Sequence, residues 1–166
     1  MTLDAVEPDT PVFIDAPIFI YHFTGASMEC RRLLERCERG DIRGITSVVV
    51  LAEVAHRLMT IEAVAKGLVS SGNVVKKLRE KPEIVSSLHN YQEQVEKIPL
   101  MFVEVVPLEL GLLLRSAQLR KRFGLLVNDS LVAASALEWN VATIASADGD
   151  LSRVDGLTLF RPSDLE

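Results

Sequence analysis

Two stretches decide the fold of this chain: Val12-Phe13-Ile14-Asp15 near its start and Ile144-Ala145-Ser146-Ala147-Asp148 near its end. Each is a short apolar run that closes on an acid. Apolar, β-branched runs suited to buried strands occur at residues 12–14, 42–46, 102–106, 141–145 and 157–160. Longer, helix-like segments lie between them. Residues 27–39 put Met28, Cys30, Leu33, Leu34 and Cys37 on one face and Arg and Glu on the other, with Gly40 where the helix would end. Ser47 is placed to cap a helix reaching about Met59. Residues 61–97 read as two or three helices broken near Gly72 and Lys81-Pro82. Residues 109–122 and 129–139 read as two more, the second rich in Ala133, Ala134 and Ala136, which permit close packing on a sheet. Strands alternating with helices build parallel βαβ units. The predicted fold is therefore α/β, a three-layer α/β/α sandwich around a central, mainly parallel five-stranded sheet.

In such folds ligands sit beyond the carboxyl ends of the strands. Asp15 and Asp148 both emerge at that edge if their strands are parallel and central, although more than a hundred residues separate them. Asp129 opens the Ala-rich helix, whose N-terminus faces the same edge. Glu53 falls in the second turn of its helix among Leu51, Ala52, Val54 and Ala55. An unpaired carboxylate in such surroundings costs several kcal/mol, so a partner is expected. Acids gathered on one sheet edge repel one another, and a hard, oxygen-loving cation such as Mg²⁺ or Mn²⁺ is the natural neutraliser. A metal so held suits phosphodiester cleavage: it orients a water, lowers its pKa and stabilises charge on the phosphate oxygens. Singly, the acids have plainer readings. Asp129 fits a helix cap or dipole partner, Asp148-Gly149 a turn, and Asp15 a strand end.

The 166 residues suit one domain spanning residues 1–166, with residues 1–10 as a flexible lead-in. A net charge of −5 argues against holding nucleic acid by bulk electrostatics, so any RNA contact must be local. Cys30 and Cys37 lie about 10 Å apart along a helix, at roughly 1.5 Å per residue, too far for a disulfide. They read as free, half-buried thiols. The longest apolar stretch, residues 45–55, is interrupted by Glu53 and far short of the roughly 20 residues that cross a bilayer, so no membrane span is expected. The acidic start (Asp4, Glu7, Asp9) is unlike a secretory signal, and a cytoplasmic location is the default. Mean hydropathy is +0.23, high for a monomer, which points to apolar surface meeting another chain and to a homodimer first.

The acids fall in one order: Val12-Phe13-Ile14-Asp15; Thr46-Ser47 and then Glu53; Asn128-Asp129-Ser130 leading into Ala133-Ala134-Ser135-Ala136; Ile144, Ser146, Asp148 and Asp150-Leu151; then Gly156-Leu157, Leu159-Phe160 and Pro162. This order resembles the PIN domain, a family of metal-dependent nucleases, over nearly the whole chain and least at residues 61–97. Small single-domain members similar to it are often VapC-type toxins. The resemblance implies endoribonuclease activity on RNA, Mg²⁺ or Mn²⁺ as cofactor, and a dimer inhibited by an antitoxin protein. By position, Asp15, Glu53, Asp129 and Asp148 match the family's catalytic, metal-holding quartet. Ser146 matches a supporting hydroxyl residue and Asp150 a frequent extra acid. Ala16 stands where Thr or Ser is usual, removing a hydroxyl near the site.

Other readings fail on particular residues. A haloacid-dehalogenase-type phosphotransferase needs an acid where Pro17 stands, and a receiver domain needs a paired acid by the first strand and a Lys after the last. An EF-hand opening at Asp148 would put Arg153 at its Gly position and Leu159 at its closing Glu. The remaining rival is a PIN-like module that binds RNA or protein without cutting, for which Ala16 is the sole support. His56, three residues after Glu53, is set aside as a local hydrogen-bonding residue. Arg120, Lys121 and Arg122, with Arg115 and the basic residues at 76–81, are candidates for tracking RNA phosphates, although solvated helix faces explain most such residues.

Overall fold

The computed structural model describes residues 1–165. β1 (Pro11–Ile14) is the middle strand of a five-stranded sheet, and Val12, Phe13 and Ile14 expose no surface, as expected of a strand covered on both faces. β2 (Arg43–Ser47) lies on one side of it with β3 (Glu104–Val106) beyond, and β4 (Thr143–Ala145) on the other with β5 (Thr158–Phe160) beyond. All four pairings are parallel, so the expectation of a mainly parallel sheet is met in full.

The crossovers carry α1 (Ala16–Thr24) and α2 (Met28–Glu38), then α3 (Val48–Ala65), α4 (Val74–Glu80), α5 (Pro82–Ser87) and α6 (Asn90–Leu100), then α7 (Leu110–Phe123) and α8 (Val127–Glu138). The path from β1 through β2 to β3 runs one way along the sheet, and the path from β3 to β4 jumps back across β1. Right-handed crossovers then assign the two helical sets to opposite faces and make the β1–β4 boundary the switch point, where ligand crevices open.

The helices differ from the sequence reading in two places. α1 is not legible in Ala16-Pro17, which looks like a strand end. Asp15 nevertheless caps it, accepting from the Ala16 N–H at 2.7 Å, and Pro17 sits in the first turn, where a missing N–H costs nothing. α3 starts at its expected cap, with the Ser47 hydroxyl accepting from Val50 N, but runs past Met59 to Ala65. The extension packs Glu62 and Ala63 against the following helices, beside a small second core of Val69, Leu78 and Leu88.

Residues 1–10, read from the sequence as a flexible lead-in, are docked. Leu3 and Val6 are buried in the main core, Thr2 bridges Arg161, and Arg36 donates to the Val6 carbonyl at 2.7 Å. Their apolar content is too sparse to signal docking by itself. Cys30 and Cys37 are free, as expected, though buried outright. Among the described residues no helix is long and apolar enough to cross a membrane.

At Gly44 of β2 the sheet leaves no room for a side chain beneath Cys37 of α2. A Cβ there would stand 2.8 Å from Cys37 Sγ and 3.1 Å from Ile14 Cδ1. Gly44→Ala is expected to destabilise the protein by about 2 kcal/mol through overpacking, read as a lower urea midpoint at unchanged m-value.

Candidate active site

Asp15 is the residue after β1, and its backbone continues the ladder by donating to the Ala145 carbonyl at 3.0 Å. This fixes it beside the end of β4. Its side chain is 7% exposed and accepts from Ser146 Oγ at 2.5 Å as well as from Ala16 N. The same Ser146 hydroxyl accepts from the Asp148 N–H at 3.0 Å, and Asp148 Oδ1 accepts from Asp150 N at 2.8 Å. One serine therefore ties the acid that ends β1 to the acid that follows β4. The chain turns into a 3-10 segment, Gly149–Arg153, capped by Asp148, so the turn expected of Asp-Gly is present and Asp148 serves it.

Asp129 does not cap α8. Leu126 occupies the cap, and Asp129 is the third residue of the helix, half-buried. Glu53 is also half-buried, and the partner it needed is Asn128, whose Nδ2 donates to Glu53 Oε2 at 3.3 Å. The first turn of α8 thus brings up Asp129 and holds the acid of α3. Asn128 stood in the sequence motif beside Asp129; its exposure gave no hint that it reaches across to another helix.

The acids sense one another. Burial pushes the Asp15 carboxyl up to about 6; the Ser146 and Ala16 hydrogen bonds oppose this, and the charges of Glu53 and Asp129 add to it. Asp129 is also raised, first by burial and then by the charges of Asp148, Glu53 and Asp150. Among the described residues, none of Asp15, Glu53, Asp129 and Asp148 forms an ion pair with a Lys or Arg; Asp150 pairs only with Arg153, at 2.8 Å. Nor do three His, Cys, Asp or Glu side chains there stand close enough to hold an ion as placed. The site is an all-oxygen set with uncompensated negative charge, a donor chemistry that would suit a hard divalent cation.

Residues 12–157 match the family model of the PIN domain. The chain belongs to the PIN domain family. The match spans all five acids and Ser146. The PIN chain is also 27% identical over 152 residues to Ribonuclease VapC2 of Methanocaldococcus jannaschii, covering 92% of this chain and 94% of that one. Among solved structures its fold matches VapBC2 of Rickettsia felis, bound to a DNA fragment from its promoter, with a TM-score of 0.58 at 19% identity (92% of this chain, 98% of that one). It also matches VapBC-1 of nontypeable Haemophilus influenzae, with a TM-score of 0.51 at 19% identity and the same coverage.

The basic candidates of this PIN domain are not one open surface. Arg122 pairs with Asp155 at 2.5 Å and lies over the Phe123 ring, and Arg115 pairs with Glu138 at 3.0 Å. Lys77, on α4, is tied to Ser70 and Ser71 ahead of that helix. Lys121 is exposed. Arg120 is half-buried and bonded to two serine hydroxyls. His56 is exposed and lines a groove with Met59, Leu78 and Val85.

Proposed function

We propose that this PIN domain is a metal-dependent endoribonuclease whose catalytic carboxylates are Asp15, Glu53, Asp129 and Asp148. The observation that carries the reading is the mutual charge coupling of acids drawn from four separate parts of the chain, at the sheet's switch point, with no basic partner. Asp15, Glu53, Asp129 and Asp148 would hold Mg²⁺ or Mn²⁺, with Asp150 in support, and the bound ion would supply an activated water and charge neutralisation for phosphodiester hydrolysis. Ser146 keeps Asp15 and Asp148 oriented, and Asn128 does the same for Glu53. Ala16 supplies its backbone N–H to Asp15, so the missing hydroxyl leaves that carboxylate still anchored.

The likeness to Ribonuclease VapC2 supports RNA as substrate, and the likeness to VapBC complexes supports a role as the toxin of a toxin–antitoxin pair. Exposed Leu110, Leu113 and Leu114 on one side of α7 support a homodimer or an antitoxin contact.

The purified protein is expected to cleave mixed RNA with Mg²⁺ or Mn²⁺, to stop in EDTA, and to slow by at least about 100-fold in Asp129→Asn, beyond what loss of a supporting residue typically costs. Cleavage that persists in EDTA or in the variant overturns this mechanism. RNA binding without cleavage would identify the non-catalytic module instead.

A further inference from the structure

Arg120 lies near the end of α7 and forms no ion pair among the described residues, yet it is half-buried. Its Nη1 donates to Ser116 Oγ at 2.9 Å, one turn back on its own helix, and to Ser130 Oγ at 3.0 Å, in α8. Both serines are fully buried. Ser130 Oγ in turn donates to the Val127 carbonyl at 2.7 Å, and Ser116 Oγ donates to the Leu113 carbonyl at 2.7 Å. Each hydroxyl thus gives its one proton to a backbone carbonyl and uses its oxygen to receive the guanidinium, so the geometry leaves neither mismatched.

Val127, at the far end of this chain of bonds, is the first residue of α8, and the next two are Asn128 and Asp129. Leu126 provides no side-chain cap, and the local bond at this helix start is the one between the Asp129 carboxylate and the Leu126 backbone. The guanidinium accepts none of the free N–H groups there; through the Ser130 hydroxyl it instead ties the first turn of α8 to α7. A charged donor bonded to a buried hydroxyl is stronger and more directional than a neutral one, and hydrogen bonds in series reinforce one another.

We propose that Arg120 is a positioning residue of the active site. Through Ser130 it fixes the first turn of α8, from which Asn128 holds Glu53 and Asp129 faces the other acids. This assignment replaces the sequence reading of Arg120 as a phosphate contact, and it rests on the proposed metal-dependent site. The basic end of α7 then divides in function: Arg120 organises the site, and exposed Lys121 remains the side chain free to meet RNA.

Arg120→Met keeps the aliphatic stem and removes the donors; Ser130→Ala breaks the same link at its other end. Four readouts on the full-length protein separate the possibilities. In EDTA, amide hydrogen exchange at residues 130 and 131, whose N–H groups close the first turn of α8, is expected to quicken about 10-fold in both variants, with β1 and β4 unchanged. With Mn²⁺ alone, the metal-induced rise in Tm is expected to shrink in both. With RNA and Mn²⁺, kcat should fall about 10-fold at unchanged KM, the double variant being no worse than either single one. RNA affinity in EDTA and its salt slope should match the wild type. Loss of RNA affinity with a shallower salt slope in Arg120→Met but not in Ser130→Ala would overturn the proposal in favour of phosphate contact. Unchanged exchange at residues 130 and 131 would overturn it outright. If the wild type neither binds Mn²⁺ nor cuts RNA, the nuclease reading fails separately, and the exchange data still decide whether Arg120 holds the turn.

Discussion

Asp15→Asn is expected to cut RNA cleavage by at least about 100-fold while making the metal-free protein more stable at neutral pH. The two effects share one cause. Asp15 is buried, and desolvation, opposed by the Ser146 and Ala16 hydrogen bonds and reinforced by Glu53 and Asp129, raises its carboxyl from 3.8 to about 6. A folded-state value above the unfolded one means that the group's contribution is fully present below about pH 4 and is lost as pH rises through about 6. A shift of this size is worth roughly 3 kcal/mol, carried as a penalty above pH 6 whenever no cation compensates it. Asparagine keeps an acceptor for the α1 cap and has no charge to bury.

Urea unfolding in EDTA at pH 4 and pH 7.5 reads this contribution together with the relief it gives Glu53 and Asp129, because carboxylates remote from the site titrate alike in both proteins. The variant should gain on the wild type at pH 7.5 and lose that gain at pH 4. Mn²⁺ should then stabilise the wild type more than the variant. Equal stability at both pH values would show that the charge is not trapped, and full activity in the variant would remove Asp15 from the mechanism. A site that destabilises its own fold until the cation arrives is the pattern expected where function and stability compete.

Glu62→Ala is expected to produce the largest loss of stability, about 3 kcal/mol, without touching the acids. The Glu62 carboxylate accepts from Lys66 Nζ at 2.6 Å, from Tyr91 N at 2.9 Å and from His89 N at 3.3 Å. It closes α3 against the N-terminus of α6, where a negative charge also meets the positive end of the helix dipole. Burial by itself would raise its pKa; the Lys66 contact and the N–H donors at Tyr91, Asn90 and His89 overcome this and lower it to about 2. The sign is opposite to that of Asp15: the stabilisation is present above the unfolded value of 4.5 and is lost as pH falls towards 2. Acid unfolding of the wild type should therefore run through a step that the variant lacks. Glu62→Gln, which keeps the shape and one acceptor, should recover part of the loss. A variant as stable as the wild type would show that the α6 N-terminus does not need this carboxylate.

The sheet was legible because a strand buried on both faces leaves an unbroken apolar run, and the acid after it marks the strand's carboxyl end. Asp15 and Asp148 were placed at one edge on that logic, and the β1–β4 pairing puts them there. Glu53 needed more than pattern. Its apolar flanks announced that a partner existed, but the partner, Asn128, lies 75 residues away and became visible only when α8 docked beside α3. α1 was hidden because Asp15-Ala16-Pro17 satisfies both a strand end and a helix start, and local propensity does not choose between them. The docked N-terminus and the clasp between Asp164 and the Ser27 hydroxyl, 137 positions apart, are likewise invisible along the chain, since both join residues far from one another in sequence.

The sequence by itself determined the order of the strands and, apart from α1, of the helices between them, and the positions of five acids, because periodicity, capping and strand-end position are local properties. Only the tertiary structure decided which of those acids share a field, which hydroxyl joins Asp15 to Asp148, and that Arg120 turns inward to brace the helix carrying Asp129. The physical reason is that hydrogen bonds and burial are set by neighbours in space, and a parallel sheet brings its neighbours together across long crossovers.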